Sequence, residues 1–200
     1  MKNVVGLAFV ASLLACTMVY AGGDAAAGKA KSAACAACHG PDGNSPNPEW
    51  PKLAGQHPAY LVQQLRAFKG GHRQNAMMAP MAQNLSEQDM LDLAAYFASQ
   101  ALQSTGAADA ELAEQGQRLY RGGIAKRQVA ACMGCHGPAG QGIPPRFPRL
   151  SGQHAAYTLQ QLLAFKAGSR RSDADIMTGI AFRLSEQEIK ALAEYLAGLH

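Results

Sequence analysis

The sequence predicts an all-α protein built as two similar units. Three observations carry this: a long internal repeat, apolar residues at helical spacing between capping signals, and the absence of sustained period-two alternation. Two copies are too few for a solenoid, so the pattern is that of a duplicated domain.

The repeat is explicit. Cys35-Ala36-Ala37-Cys38-His39-Gly40-Pro41 returns as Cys132-Met133-Gly134-Cys135-His136-Gly137-Pro138, displaced by 97 positions. The displacement holds for Pro51 to His57 against Pro148 to His154. It also holds for Tyr60 and Tyr157, Gln64 and Gln161, Phe68 and Phe165, and Arg73 and Arg170. It becomes 99 where Leu85-Ser86-Glu87-Gln88 meets Leu184-Ser185-Glu186-Gln187, so the second copy gains two residues between Arg170 and Met177. Ser104 to Ala108 is a small-residue linker. The expected organisation is a leader over 1–21 and two domains over 22–106 and 107–200.

Within each unit the helices follow in order. Asp24 to about Ala34 lacks helix breakers except Gly28, and Glu111 to Arg121 takes the same part in the second half. Pro58 to Lys69 places Leu61, Leu65 and Phe68 at helical spacing and stops at Gly70-Gly71. Its partner runs from about Ala155 to Lys166 and ends near Gly168. The last helix of each unit starts after an N-cap serine, Ser86 or Ser185. Glu188 completes a capping box in the second half, and Asp89 holds that place in the first. Leu93, Tyr96 and Phe97, matched by Leu192, Tyr195 and Leu196, form an apolar stripe.

Alanine and glycine are abundant and only 6% of residues are aromatic. Two small domains of such light side chains fill a core poorly unless each buries a large apolar group. Cys-x-x-Cys-His, present twice, is the attachment signature of c-type haem. Two thiols add across the two vinyl groups of the porphyrin, and the adjoining histidine binds iron. Cys35, Cys38 and His39 would do this in one half, and Cys132, Cys135 and His136 in the other. Zinc, a redox dithiol or a disulfide would each leave the repeated histidine or the all-helical setting unexplained.

An electron-transfer haem needs a sixth ligand, and methionine opposite histidine is one such arrangement. The first half offers Met77, Met78 and Met81, and that half alone does not choose among them. The repeat does: Met177 stands eight residues before Ser185, as Met78 stands eight before Ser86. Met77 and Met81 are then left as soft packing near the ring.

Haem motif near an N-terminal helix, Pro-x-Leu, a loop methionine and a final helix with an aromatic resemble the pattern of class I cytochromes c. Two such units in tandem, with Gly-Gln-His and Leu-Ser in both, resemble the bacterial dihaem cytochromes c4. The resemblance covers the chain from Asp24 to His200. It implies two class I domains, each wrapped around one covalent haem c. It further implies periplasmic transfer of single electrons from a donor such as a quinol-oxidising complex towards an acceptor such as a terminal oxidase, often with membrane association. It also implies that the carbonyls of Pro51 and Pro148 accept hydrogen bonds from the far ring nitrogens of His39 and His136. A dihaem peroxidase would need an open iron position, which methionines at both matched places argue against.

Other residues carry less. His57 and His154 each precede a helix, where capping or a surface hydrogen bond outweighs metal binding. Arg73 and Arg170 are open between pairing with haem propionates and lying as solvated loop charges. Trp50, with Phe147 as its counterpart, is placed beside a haem edge. Residues 22–106 hold six basic and six acidic side chains, and residues 107–200 eleven and eight. The surplus, which includes Arg146, Arg149, Arg170, Arg171 and Arg183, reads either as a basic docking face or as scattered solubility charge. So modest a charge on an exported chain argues against nucleic acid as a partner.

Export is read from the start of the chain. Lys2, the apolar stretch Val4 to Ala15 and Val19-Tyr20-Ala21 form a signal peptide with cleavage after Ala21. Two alternatives stay open: an uncleaved anchor, and lipidation at Cys16 after Leu13-Leu14-Ala15.

Overall fold

The computed structural model describes residues 22–199. Cys16 and the leader, on which cleavage or anchoring turns, lie outside the described residues, as does His200. Among the described residues there is no strand, and the β-structure is confined to two isolated bridges, Ile124 with Val129 and Ile143 with Phe147.

In the first half, α1 (Ala25–Lys31) starts at Asp24, whose carboxylate accepts the N–H groups of Ala26 and Ala27. The helical stretch reaches further than the sequence suggested. Ser32 interrupts it by bonding its hydroxyl back to Lys29 O, and α2 (Ala33–His39) then carries the whole haem motif. Helix α3 (Pro58–Lys69) has Pro58 in its first turn, where a missing N–H is harmless, and buries Leu61, Val62 and Phe68. Short helix α4 (Met78–Gln83) escapes detection by periodicity because it spans under two turns. Helix α5 (Glu87–Ala98) begins with the reciprocal capping box of Ser86 and Asp89.

The second half repeats the order with α6 (Ala110–Gly122), α7 (Met133–His136), α8 (Ala155–Lys166), α9 (Ile176–Phe182) and α10 (Glu186–Gly198). Ser185 and Glu188 close the matching capping box. The two extra residues before Met177 lie in a 3-10 turn, Asp173–Asp175, where Ala174 and Asp175 take positive φ. A larger difference was hidden. Gly28 stands seven residues before Cys35, but Gly116 stands sixteen before Cys132. The added chain forms a loop with a 3-10 turn, Ala125–Arg127, closed by the bridge between Ile124 and Val129.

Gly28 and Gly116 are equivalent by contact. A Cβ on Gly28 would stand 2.0 Å from Asp92 O, and one on Gly116 would stand 2.0 Å from Ala191 O. Glycine at these places lets α1 cross α5, and α6 cross α10, at backbone contact. Gly28 is therefore the crossing point of the first core, not a flaw in its helix. Each half then has its own apolar cluster, one around Met90, Leu93 and Phe97, the other around Tyr120, Ile189 and Leu192.

The halves meet through reciprocal bonds, the signature of an approximate two-fold relation. The Gln153 amide accepts from Lys52 N–H and donates to Lys52 O, both at 2.9 Å. The Gln56 amide does the same to Arg149, again at 2.9 Å both ways. Arg73 donates to Tyr157 and Gln161, and Arg170 donates to Tyr60 and Gln64. His57 Nε2 donates to Gln141 O, and His154 Nε2 donates to Ser45 O.

Candidate haem centres

Helix α2 presents Cys35, Cys38 and His39 on one continuous turn, which a Cys-x-x-Cys-His spacing on a helix produces. Cys132 caps α7, which carries Cys135 and His136. The four cysteines of the two motifs are half-buried. Burial raises the pKa of the Cys35 thiol and pushes Cys132 up to about 11.

Both histidines end their helices, and the chain turns away at once through glycine. Gly40 and Gly137 take φ of +79° and +78°, a region where other residues are strained. The turn is anchored on the core. Tyr96 donates its hydroxyl to Pro41 O at 2.7 Å, and the fully buried Tyr120 donates to Gly137 O at 2.6 Å. The following loop returns to the histidine. His39 Nδ1 lies 2.8 Å from Pro51 O, and His136 Nδ1 lies 3.0 Å from Pro148 O. A carbonyl only accepts, so in each ring Nδ1 carries the proton. Burial lowers the pKa of both imidazoles, against the opposing effect of the prolyl carbonyls. Each ring is thus neutral at neutral pH, with its Nε2 lone pair available to a metal.

The methionine segments are pinned by side-chain caps. Asn75 Oδ1 accepts the N–H groups of Met77 and Met78, and Ser172 Oγ accepts the N–H of Met177. Met78 and Met177 are half-buried, whereas Met77 is 54% and Met81 45% exposed.

In each half two thiols that can add to porphyrin vinyl groups stand beside one neutral imidazole, a set suited to a covalent haem c. Among the described residues no group of three or more His, Cys, Asp or Glu side chains could hold a metal ion, so the zinc reading lacks a ligand set.

Several expectations need correction. Neither His57 nor His154 makes a side-chain cap: His57 makes the surface hydrogen bond, to Gln141 O of the other half, whereas the bond of His154 to Ser45 O is buried. Arg73 and Arg170 are not solvated loop charges. Arg170 is buried, and each guanidinium also lies over its own half's phenylalanine, Phe68 or Phe165, at 4.6 and 4.5 Å. Of the basic surplus, Arg170 donates across to Tyr60, Arg171 pairs with Asp175, and Arg146 and Arg183 are exposed. The interface residues Gln56 and Gln153 went unassigned, although the repeated Gly-Gln-His was their signal. Phe147 lies edge-on to the His136 ring, with centroids 6.1 Å apart.

Comparison with known proteins agrees with this geometry. The Cytochrome c family model matches residues 25–101 and 113–200. Cytochrome c4 of Pseudomonas aeruginosa is 50% identical over 186 residues, covering 92% of each chain. The thiosulfate dehydrogenase electron acceptor of Thiomonas intermedia is 40% identical over 180 residues, covering 86% of this chain and 81% of its own. The crystal structure of reduced recombinant cytochrome c4 from Pseudomonas stutzeri superposes with a TM-score of 0.86 at 49% identity, covering 89% of this chain and all of that one. With two tandem cytochrome c domains, a Cys-x-x-Cys motif for covalent haem c in each and this likeness over most of its length, the chain belongs to the cytochrome c4 family of dihaem electron carriers.

Proposed function

We propose that the protein relays single electrons in the periplasm, from a donor such as a quinol-oxidising complex towards an acceptor such as a terminal oxidase, and performs no enzymatic turnover itself. The observation that supports this best is made twice: a neutral histidine in Cys-x-x-Cys-His whose Nδ1 proton is held by a prolyl carbonyl. Haem, when bound, supplies the one-electron iron couple. Cys35, Cys38, Cys132 and Cys135 anchor it, within domains spanning 22–106 and 107–200.

On this reading His39 and Met78 would hold the iron of the first centre, and His136 and Met177 that of the second. Pro51 and Pro148 fix the tautomer that leaves Nε2 free and raise the basicity of the ring. With both residues bound, an iron would keep no position for substrate, which would separate a carrier from a peroxidase. The reciprocal bonds across the interface hold the halves in one orientation, which would suit transfer of an electron between two bound haems.

Redox proteins are the partners this arrangement fits. The relative described as an electron acceptor of thiosulfate dehydrogenase suggests a second donor class, an enzyme oxidising a sulfur compound. No helix among the described residues is long and apolar enough to cross a membrane.

The optical spectrum of the purified protein, with haem quantified, tests the proposal. Two haems per chain, the near-infrared band of methionine-ligated ferric iron and no prompt carbon monoxide binding to the reduced protein are expected. A missing methionine band with rapid carbon monoxide binding would overturn it in favour of an enzyme.

A further inference from the structure

Pro51 O and Lys52 N belong to one peptide group. Its carbonyl accepts the Nδ1 proton of His39 at 2.8 Å, while its N–H donates to Gln153 Oε1 of the other half at 2.9 Å. The peptide between Pro148 and Arg149 repeats this. Its carbonyl faces His136 Nδ1 at 3.0 Å, and its N–H donates to Gln56 Oε1 at 2.9 Å. Each imidazole is therefore two hydrogen bonds, through one conjugated amide, from a glutamine of the opposite domain. Both glutamine amides are also held from behind. Gln153 Oε1 accepts the N–H of His154, and Gln56 Oε1 accepts the N–H of His57, each at 3.0 Å.

We propose that Gln153 and Gln56 are positioning residues that set the reduction potential of the haem in the opposite half, by polarising the Pro51–Lys52 and Pro148–Arg149 peptides that hold the axial histidines. The inference rests on the axial ligation proposed above. An amide whose N–H is engaged is a stronger acceptor at its carbonyl, because hydrogen bonds in a chain polarise one another. A stronger acceptor draws the Nδ1 proton and makes the ring a better donor to iron, which favours the ferric state and lowers the potential. Domain contact and potential are thereby linked: Gln153 acts on the first centre, and Gln56 on the second.

The geometry also fixes the sign of each substitution. Gln153→Met keeps an unbranched side chain of similar length but removes the acceptor, so the potential of the first centre rises. Gln153→Glu keeps an acceptor for the Lys52 N–H and strengthens it with charge, so the same potential falls. Gln56→Met raises the potential of the second centre.

Redox titration of the full-length holoprotein and these three variants decides the matter. Each centre is followed by the paramagnetically shifted methyl signal of its axial methionine, and haem content and the methionine band are recorded alongside. Opposite shifts for Gln153→Met and Gln153→Glu, confined to the first centre, with the mirror result for Gln56→Met, are expected. Shifts of both centres together in one direction would mean only a loosened interface and would overturn the proposal. So would unmoved potentials with both haems and both bands intact. Absence of the methionine band from the unmodified protein would instead sink the axial ligation, and this inference with it.

Discussion

The guanidinium of Arg73 donates to the hydroxyl of Tyr157 at 2.9 Å across the boundary between the two halves. Arg170 returns the contact to Tyr60 at 2.8 Å. Each arginine also bonds the glutamine of its own half, Gln64 or Gln161, so four polar side chains and two cations close one network. Burial would raise the pKa of Tyr157, yet Arg73 and Arg170 hold it below the ordinary tyrosine value. Among the described residues neither arginine forms a salt bridge. Their charge is spread over neutral oxygens and over Phe68 and Phe165.

Removing one of these cations should uncouple the halves before it unfolds them. Arg170→Met leaves the Tyr60 hydroxyl without its guanidinium donor, while Gln64 and Gln161 keep that of Arg73, a loss of about 2 kcal/mol. Urea unfolding followed separately at each haem should split into two transitions in the variant. A single transition displaced as a whole would show that the network contributes to the cores and not to the junction.

The helix crossings should tolerate no added atom. In Gly116→Ala the new Cβ meets the backbone carbonyl of Ala191, which cannot rotate away as a side chain would. Overpacking of this kind costs about 3 kcal/mol. The thermal midpoint should fall steeply, and Gly28→Ala should do the same against Asp92. Wild-type midpoints in both would mean that the helices are free to separate.

Acid should loosen the first half through Asp92. The Lys31 ammonium, then the Asp24 N–H and the Gln88 amide, lower its pKa to about 2. An unfolded aspartate titrates near about 3.9. The folded carboxylate is thus the more acidic, and its stabilisation is complete above that value and lost as pH falls towards about 2. Asp92→Asn should lower stability at neutral pH and flatten the fall between these limits. Thermal midpoints against pH, measured at the first haem, check it; curves that stay parallel would contradict the assignment.

The matched methionines should be separable by spectrum. Met78→Ala and Met177→Ala are each expected to remove about half of the near-infrared methionine band and to open one iron to carbon monoxide. Met77→Ala and Met81→Ala, at the exposed positions beside Met78, should leave both readouts unchanged. Loss of the band in Met81→Ala would move the ligand to that residue.

Much of this was legible in the residues because it is local. Pro58 to Lys69 and Ala155 to Lys166 were readable to the residue, since apolar spacing and stop signals lie within a few turns. The serine caps of α5 and α10 were equally plain, being set by residues three apart. The cysteine and histidine set was visible because haem attachment demands a fixed short spacing. The repeat selected Met78 over two neighbours, which composition could not do. Helices under two turns, such as α4, gave no periodic signal to read.

What only the tertiary structure decided is how the copies face each other. Gln56 and Arg149 are 93 positions apart, and Arg73 and Tyr157 are 84 apart; no local pattern marks such pairs. His57 and His154 read as caps or as surface hydrogen-bond formers because they precede helices, and nothing local marks the opposite half as the place of their partners. Gly28 looked like a weakness in a helix because the backbone of Asp92, which touches it, is distant in sequence. Sequence by itself determined the helices, the duplication and the chemistry each half can hold, because short-range sterics and spacing govern them. The junction that places a glutamine of one half behind the motif histidine of the other depends on packing two folded surfaces, and only the folded chain shows it.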